Sequence, residues 1–218
     1  MVAKVPSNGV SLTDFTVSGT TPFVTIGDAG AEDAGIIFDG NAQDFYVALD
    51  DSADSLLIGV GASVGTTACI VVDATGAVTK PLQPAFSVKK ASSQANMSSG
   101  VQLVFDTEIF DQNADFASNS FTAPVTGRYQ LNLQLRMAAV DADANYIFAQ
   151  IETSNRTYQS IFDPSKGSGD LGYFTMSINA VADMDANDTA DVHFYYNGGA
   201  AQTDTDNDGT IFSGALLC

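Results

Sequence analysis

The sequence predicts an all-β protein, with a two-layered sandwich or jelly roll in its C-terminal part and a smaller, repeat-like β base before it. Three observations predict this. Polar and apolar residues alternate with a period of two, most clearly from Tyr129 to Met137. Short apolar runs recur about every ten residues between Gly- and Asp-rich turns. No stretch carries the 3.6-residue period of a long amphipathic helix.

Composition agrees with strands and turns. The chain has 218 residues, 45% apolar and 10% aromatic, with 19 glycines and six prolines. That length suits one large or two small domains. The 26 acidic and 8 basic residues give a net charge of −18. Such a field repels phosphate backbones and anionic bilayers, which excludes nucleic acid as an expected partner. Its simplest use is solubility, and a cation-binding surface is the sharper one. Cys69 and Cys218 do not make a disulfide framework. Cys69, in an apolar run, is expected as a small core hydrophobe. The N-terminal MVAKVPSNGVSL has no continuous apolar stretch of the secretory kind. The N-x-S/T triplets at Asn96, Asn155 and Asn187 are expected to be chance.

Residues 1–82 form the first part. PFVTI, GIIF, DFYVAL, SLLIGV, ACIVV and GAVT read as successive short strands. The uncharged stretch from Ser55 to Val72 is long enough to raise a membrane span. Gly59, Gly61 and Gly65 break it, so two buried strands around a glycine turn are expected and no membrane insertion. GTTPFVTIGDAG from Gly19 and GTTACIVVDATG from Gly65 form a weak internal repeat. Repeated units often cannot bury their apolar face alone. The part is therefore either a small independent β domain or a base shared between chains, and its few aromatics favour the second. Lys80-Pro81-Leu82-Gln83-Pro84 reads as a short stiff linker.

Residues 83–218 form the second part. Its expected strands are Ala85–Lys90, Val101–Phe105, Ser120–Ala123, Tyr129–Met137, Asn145–Ile151, Tyr173–Ala180, Val192–Tyr196 and Ile211–Leu217. On the fourth, Tyr129, Leu131, Leu133, Leu135 and Met137 share one face, and Gln130, Asn132, Gln134 and Arg136 the other. Pro124 ends one ladder, Gly127 is expected to permit a tight turn, and Tyr129 begins the next buried face.

These pieces resemble the globular head of the C1q and tumour-necrosis-factor superfamily. Pro84-Ala85-Phe86-Ser87 is similar to its opening strand, and Val104-Phe105-Asp106 to its apolar-Phe-Asp element. Asn119–Pro124 with Gly127-Arg128-Tyr129 resembles its F-x-x-P-x-x-G-x-Y corner. Asn187–Val192 resembles its acidic turn, and Phe212-Ser213-Gly214 with Leu216-Leu217 its closing strand. The resemblance implies a jelly roll assembled as a homotrimer. It places Gln130, Asn132, Gln134, Tyr173, Ser177 and Gly214 at the trimer interface. Polar residues there imply a wet, hydrogen-bonded contact, and Gly214 suits a crowded place beside a neighbouring chain. The first part is loosely similar, in turn chemistry and spacing, to repeat segments of marine phage tail fibres.

Asp204-Thr205-Asp206-Asn207-Asp208-Gly209 reads D-x-D-x-D-G, the first half of a calcium loop. The twelfth position is Ala215 instead of Glu, so Asp204, Asp206 and Asp208 would need ligands from other loops or chains. A solvated acidic turn is the plainer expectation, and calcium the one cofactor to weigh. Asp141, Asp143, Asp183, Asp185 and Asp188 read as turn formers first, and as the source of the missing ligands second. The Asp106/Glu108 pair is weak ground for acid-base chemistry. His193 is expected as a packed or interface histidine. No nucleophile elbow, P-loop, zinc-protease or dinucleotide motif occurs, so no enzyme is expected.

The function expected first is a bacteriophage fibre, spike or decoration protein on the virion surface. Residues 1–82 would contact other virion proteins, and the trimeric head a host receptor or glycan. A cellular or secreted ligand or adhesion module is the alternative, and a polysaccharide-degrading spike a further one.

Overall fold

The computed structural model describes residues 16–166 and 169–218; the N-terminal MVAKVPSNGVSL segment lies outside them. The chain divides into two compact units, Met1–Thr79 and Lys80–Cys218. Among the described residues all repetitive structure is β except one 3-10 turn at Pro164–Lys166. Among the described residues no helix is long and apolar enough to cross a membrane.

The first unit is one antiparallel meander of β1 (Ala34–Phe38), β2 (Phe45–Asp50), β3 (Ser55–Val60), β4 (Ala68–Val72) and β5 (Val78–Thr79). Short apolar runs become strands where Asp-rich turns let the chain reverse; Asp73 Oδ1, for example, accepts the amides of Thr75 (2.8 Å) and Ala77 (3.0 Å) between β4 and β5. PFVTI is the exception. Residues 22–26 lie outside any strand, and Phe23 is 85% exposed. The weak internal repeat is therefore not a structural one: its first copy is irregular and its second is β4. The pair around the glycine turn does form, as β3 and β4. It is half-buried and not buried, because Leu57 faces a core while Leu56 and Ile58 face out. Cys69 is likewise only partly buried and is no core residue.

The second unit packs two sheets face to face. One runs β13 (Thr157–Phe162), β12 (Ala144–Thr153), β15 (Thr189–Gly198), β10 (Ser120–Thr122), β9 (Phe116–Ala117), with β7 (Val101–Gln102) also on β15. The other runs β14 (Leu171–Met184), β11 (Gly127–Val140), β17 (Ile211–Leu216), β6 (Ala85–Lys89), β8 (Thr107–Asp111), with β16 (Asp204–Thr205) also on β11. All pairs are antiparallel, and the chain crosses repeatedly between the layers, as a jelly roll does.

The period-two pattern explains the layers. Tyr129, Leu131, Leu133, Leu135 and Met137 of β11 are all buried, as are Ile147, Ala149 and Ile151 of β12 and Val192 and Phe194 of β15. Between them lies an aromatic cluster. Phe86 stacks on Phe121 (centroids 4.7 Å) and Phe116 (5.3 Å), and meets Phe212 edge-on (5.1 Å). Removing one such ring costs about 3–5 kcal/mol. The strand expected over Val101–Phe105 stops at Gln102, yet Leu103 and Phe105 are buried. Leu103 N still donates to the Val192 carbonyl of β15 (2.8 Å), whereas Phe105 N leaves the ladder and donates to Asn119 Oδ1 (2.8 Å).

Candidate functional site

The outward face of the second sheet is polar along β11 and the adjoining part of β14. On β11 it presents Gln130, Asn132, Gln134 and Arg136, and on β14 Tyr173, Thr175, Ser177 and Asn179. Register sets Asn132 opposite Asn179 and Gln134 opposite Ser177, with Ser213 of β17 on the other side of Asn132. A shallow depression lies between these residues and Ile211. Gln130 Nε2 donates to Asn132 Oδ1 (3.0 Å), and Gln134 Nε2 to the Gly209 carbonyl (3.0 Å). Arg136 lies over the Tyr173 ring, 4.6 Å from its centroid, and its Nε is 3.4 Å from Asp206 Oδ2. Five of the six residues expected at a chain interface thus share one face. Gly214 does not. A Cβ on Gly214 would stand 2.6 Å from Phe86 Cε1 and 2.8 Å from Leu131 Cδ2, so the crowding it answers is inside the sandwich.

The corner before β11 also differs in cause. Gly127 has no positive φ. A Cβ there would lie 2.7 Å from the Cys218 carbonyl, whose oxygen accepts the Arg128 amide at 2.7 Å. Glycine is needed for close approach of the chain's last residues, not for the turn. Tyr129 Oη donates to the Val125 carbonyl (2.7 Å) and pins the corner.

In the acidic loop the carboxylates are directed to different partners. Asp204 Oδ1 accepts the Asn96 amide (2.7 Å), Asp206 Oδ2 pairs with Arg136, and Asp206 Oδ1 accepts the Asp208 amide (3.0 Å). Among the described residues the His, Cys, Asp and Glu side chains that converge within 4.8 Å are instead Glu152, Asp191 and His193. Asp191 and His193 alternate on β15, and register sets Glu152 opposite Asp191. All three lie on the solvent face of the first sheet, beside Tyr195. The Asp191-x-His193 spacing was visible in the sequence; the arrival of Glu152 was not. Asp106, of the weak acid-base pair, accepts the Ala91 amide (2.5 Å).

In the first unit, the pairings Phe38–Phe45–Val60, Ile36–Val47–Ile58–Ile70 and Leu49–Leu56–Val72–Val78 run across one face of the sheet. Every member is apolar. Ile36, Phe38, Phe45, Leu49, Leu56, Ile58 and Val78 are 42–61% exposed. The small core of Tyr46, Ala48 and Leu57 lies on the opposite face.

Two packed antiparallel layers with solvent-facing polar strands define a β-sandwich of the jelly-roll class. The C1q domain family model matches residues 85–217, and the chain belongs to that family. Such domains are generally non-enzymatic modules that form trimers and bind ligands or receptors. Among solved structures, the globular domain of zebrafish complement 1qA protein is similar, at 16% identity and a TM-score of 0.47, covering 62% of this chain and 98% of that one. No curated protein matches the sequence.

Proposed function

We propose that the chain is a homotrimeric binding head on a β base, serving as a fibre, spike or decoration protein of a bacteriophage that attaches to a host surface. The observation that carries the assembly is the continuous apolar face of the first unit. Exposed apolar surface of this extent marks an interface. Packing it against the same face of two further copies takes it out of water. The heads then meet through Gln130, Asn132, Gln134, Tyr173 and Ser177, in a hydrogen-bonded, water-containing contact. Loops at the free end of the head contact the receptor or glycan, since loops tolerate change at little cost to the fold. Three weak sites held together bind with avidity. Residues 1–82 also join the assembly to other virion proteins.

Native mass measurement at micromolar concentration tests the assembly; a trimer is expected, and a stable monomer overturns it. Family membership supports a cellular or secreted ligand module equally well. Micrographs of purified particles labelled with an antibody to the chain separate the two, since only a virion protein decorates particles.

A further inference from the structure

We propose that Glu152, Asp191 and His193 form a binding site for a divalent transition-metal ion of the zinc class on the solvent face of the first sheet. The imidazole stands between the two carboxylates: Nδ1 is 3.0 Å from Glu152 Oε1 and Nε2 is 3.7 Å from Asp191 Oδ1. Three ligand atoms, one from each residue, lie within 4.8 Å of one another. One nitrogen and two carboxylate oxygens suit zinc, and three protein ligands leave a coordination position for water. An all-oxygen cation such as calcium is disfavoured by the imidazole.

Two features beyond proximity support a site. The ligands are held by their own partners, as metal ligands generally are. Gln102 Nε2 on β7 donates to Asp191 Oδ2 (3.3 Å), Tyr195 Oη donates to Glu152 Oε1 (2.8 Å), and Gln150 Nε2 also donates to Glu152 Oε1. Phe148 stacks on Tyr195 at 4.7 Å and fixes that hydroxyl. The charge is also unbalanced. Two carboxylates share one imidazole, and neither has a lysine or arginine partner among the described residues. A cation offsets the repulsion between the two carboxylates. The Asp204 loop differs here, since its Asp206 already pairs with Arg136.

Isothermal titration of the full chain with Zn²⁺ tests the site, with Co²⁺ as a spectroscopic probe. One ion per chain is expected, with ligand-field absorption of a low-coordinate cobalt site and no displacement by excess Ca²⁺. His193→Ala should abolish binding. Gln102→Leu, which removes only the hydrogen bond that orients the Asp191 carboxylate, should weaken it roughly tenfold or more while the protein stays folded by circular dichroism. Absence of saturable binding by the wild type, or binding unchanged in folded His193→Ala, overturns the proposal. An Asp206→Asn variant that lost the ion would overturn it too, by moving the ion to the other loop.

Discussion

Placing lysines on the apolar face of the first unit should dissolve the assembly without unfolding the head. Ile36 and Ile58 flank Val47 on neighbouring strands and point away from the Tyr46 core. Fully burying an aliphatic or aromatic side chain gains about 1.5–3 kcal/mol. The seven large residues of this face are 42–61% exposed, so each has realised about half of that gain. Covering them would release roughly 5–10 kcal/mol per chain. That is comparable to the ~4–15 kcal/mol that association costs. Each of Ile36→Lys and Ile58→Lys removes about 1 kcal/mol of this and adds an ammonium that must be desolvated, a cost of several kcal/mol. The double variant should therefore sediment as a monomer at concentrations where the wild type is trimeric, while the circular dichroism spectrum stays as it was. A double variant that assembles like the wild type refutes the reasoning, as does a wild type that never assembles.

Other outcomes are expected on the same footing. Gly214→Val should destabilise the head by about 1–3 kcal/mol through overpacking against Phe86 and Leu131, read as a lowered denaturation midpoint. Tyr129→Phe should cost about 1 kcal/mol by leaving the Val125 carbonyl without its donor, measured the same way. Lys90 is buried, its ammonium donating to Gln94 Oε1 and the Val104 carbonyl at 3.0 Å, and burial lowers its pKa from 10.5 to about 8. The unfolded chain therefore binds this proton more readily between the two values, and stability should rise as pH increases from about 8 toward 10; Lys90→Met should flatten that rise in urea titrations. Calcium at Asp204, Asp206 and Asp208 would have to displace the Arg136 pair and the Asn96 cap, so an unchanged melting temperature with calcium or chelator is expected. A rise on adding calcium would restore that loop as a site.

The period-two pattern was enough to name the sandwich. Tyr129 to Met137 can bury alternate residues only as a strand with one wet face, and Phe174 to Ala180 and Val192 to Tyr196 repeat that constraint. Strands without the pattern were not legible. Thr157–Phe162 and Thr107–Asp111 lie at sheet edges, where one flank and much of each side chain remain in water, so nothing forces alternation. PFVTI misled in the other direction, since apolar residues make a strand only where a neighbour supplies a ladder.

The sequence by itself determined the β class, the two-part layout of polar and apolar runs, and which side of β11 enters the core, because these follow from local alternation and turn chemistry. Only the tertiary structure decided that Gly214 and Gly127 relieve contacts inside the head, and that Glu152 meets Asp191 and His193. Those meetings depend on the register between strands distant in the chain. Register is set by the packing of whole layers, which no single segment encodes.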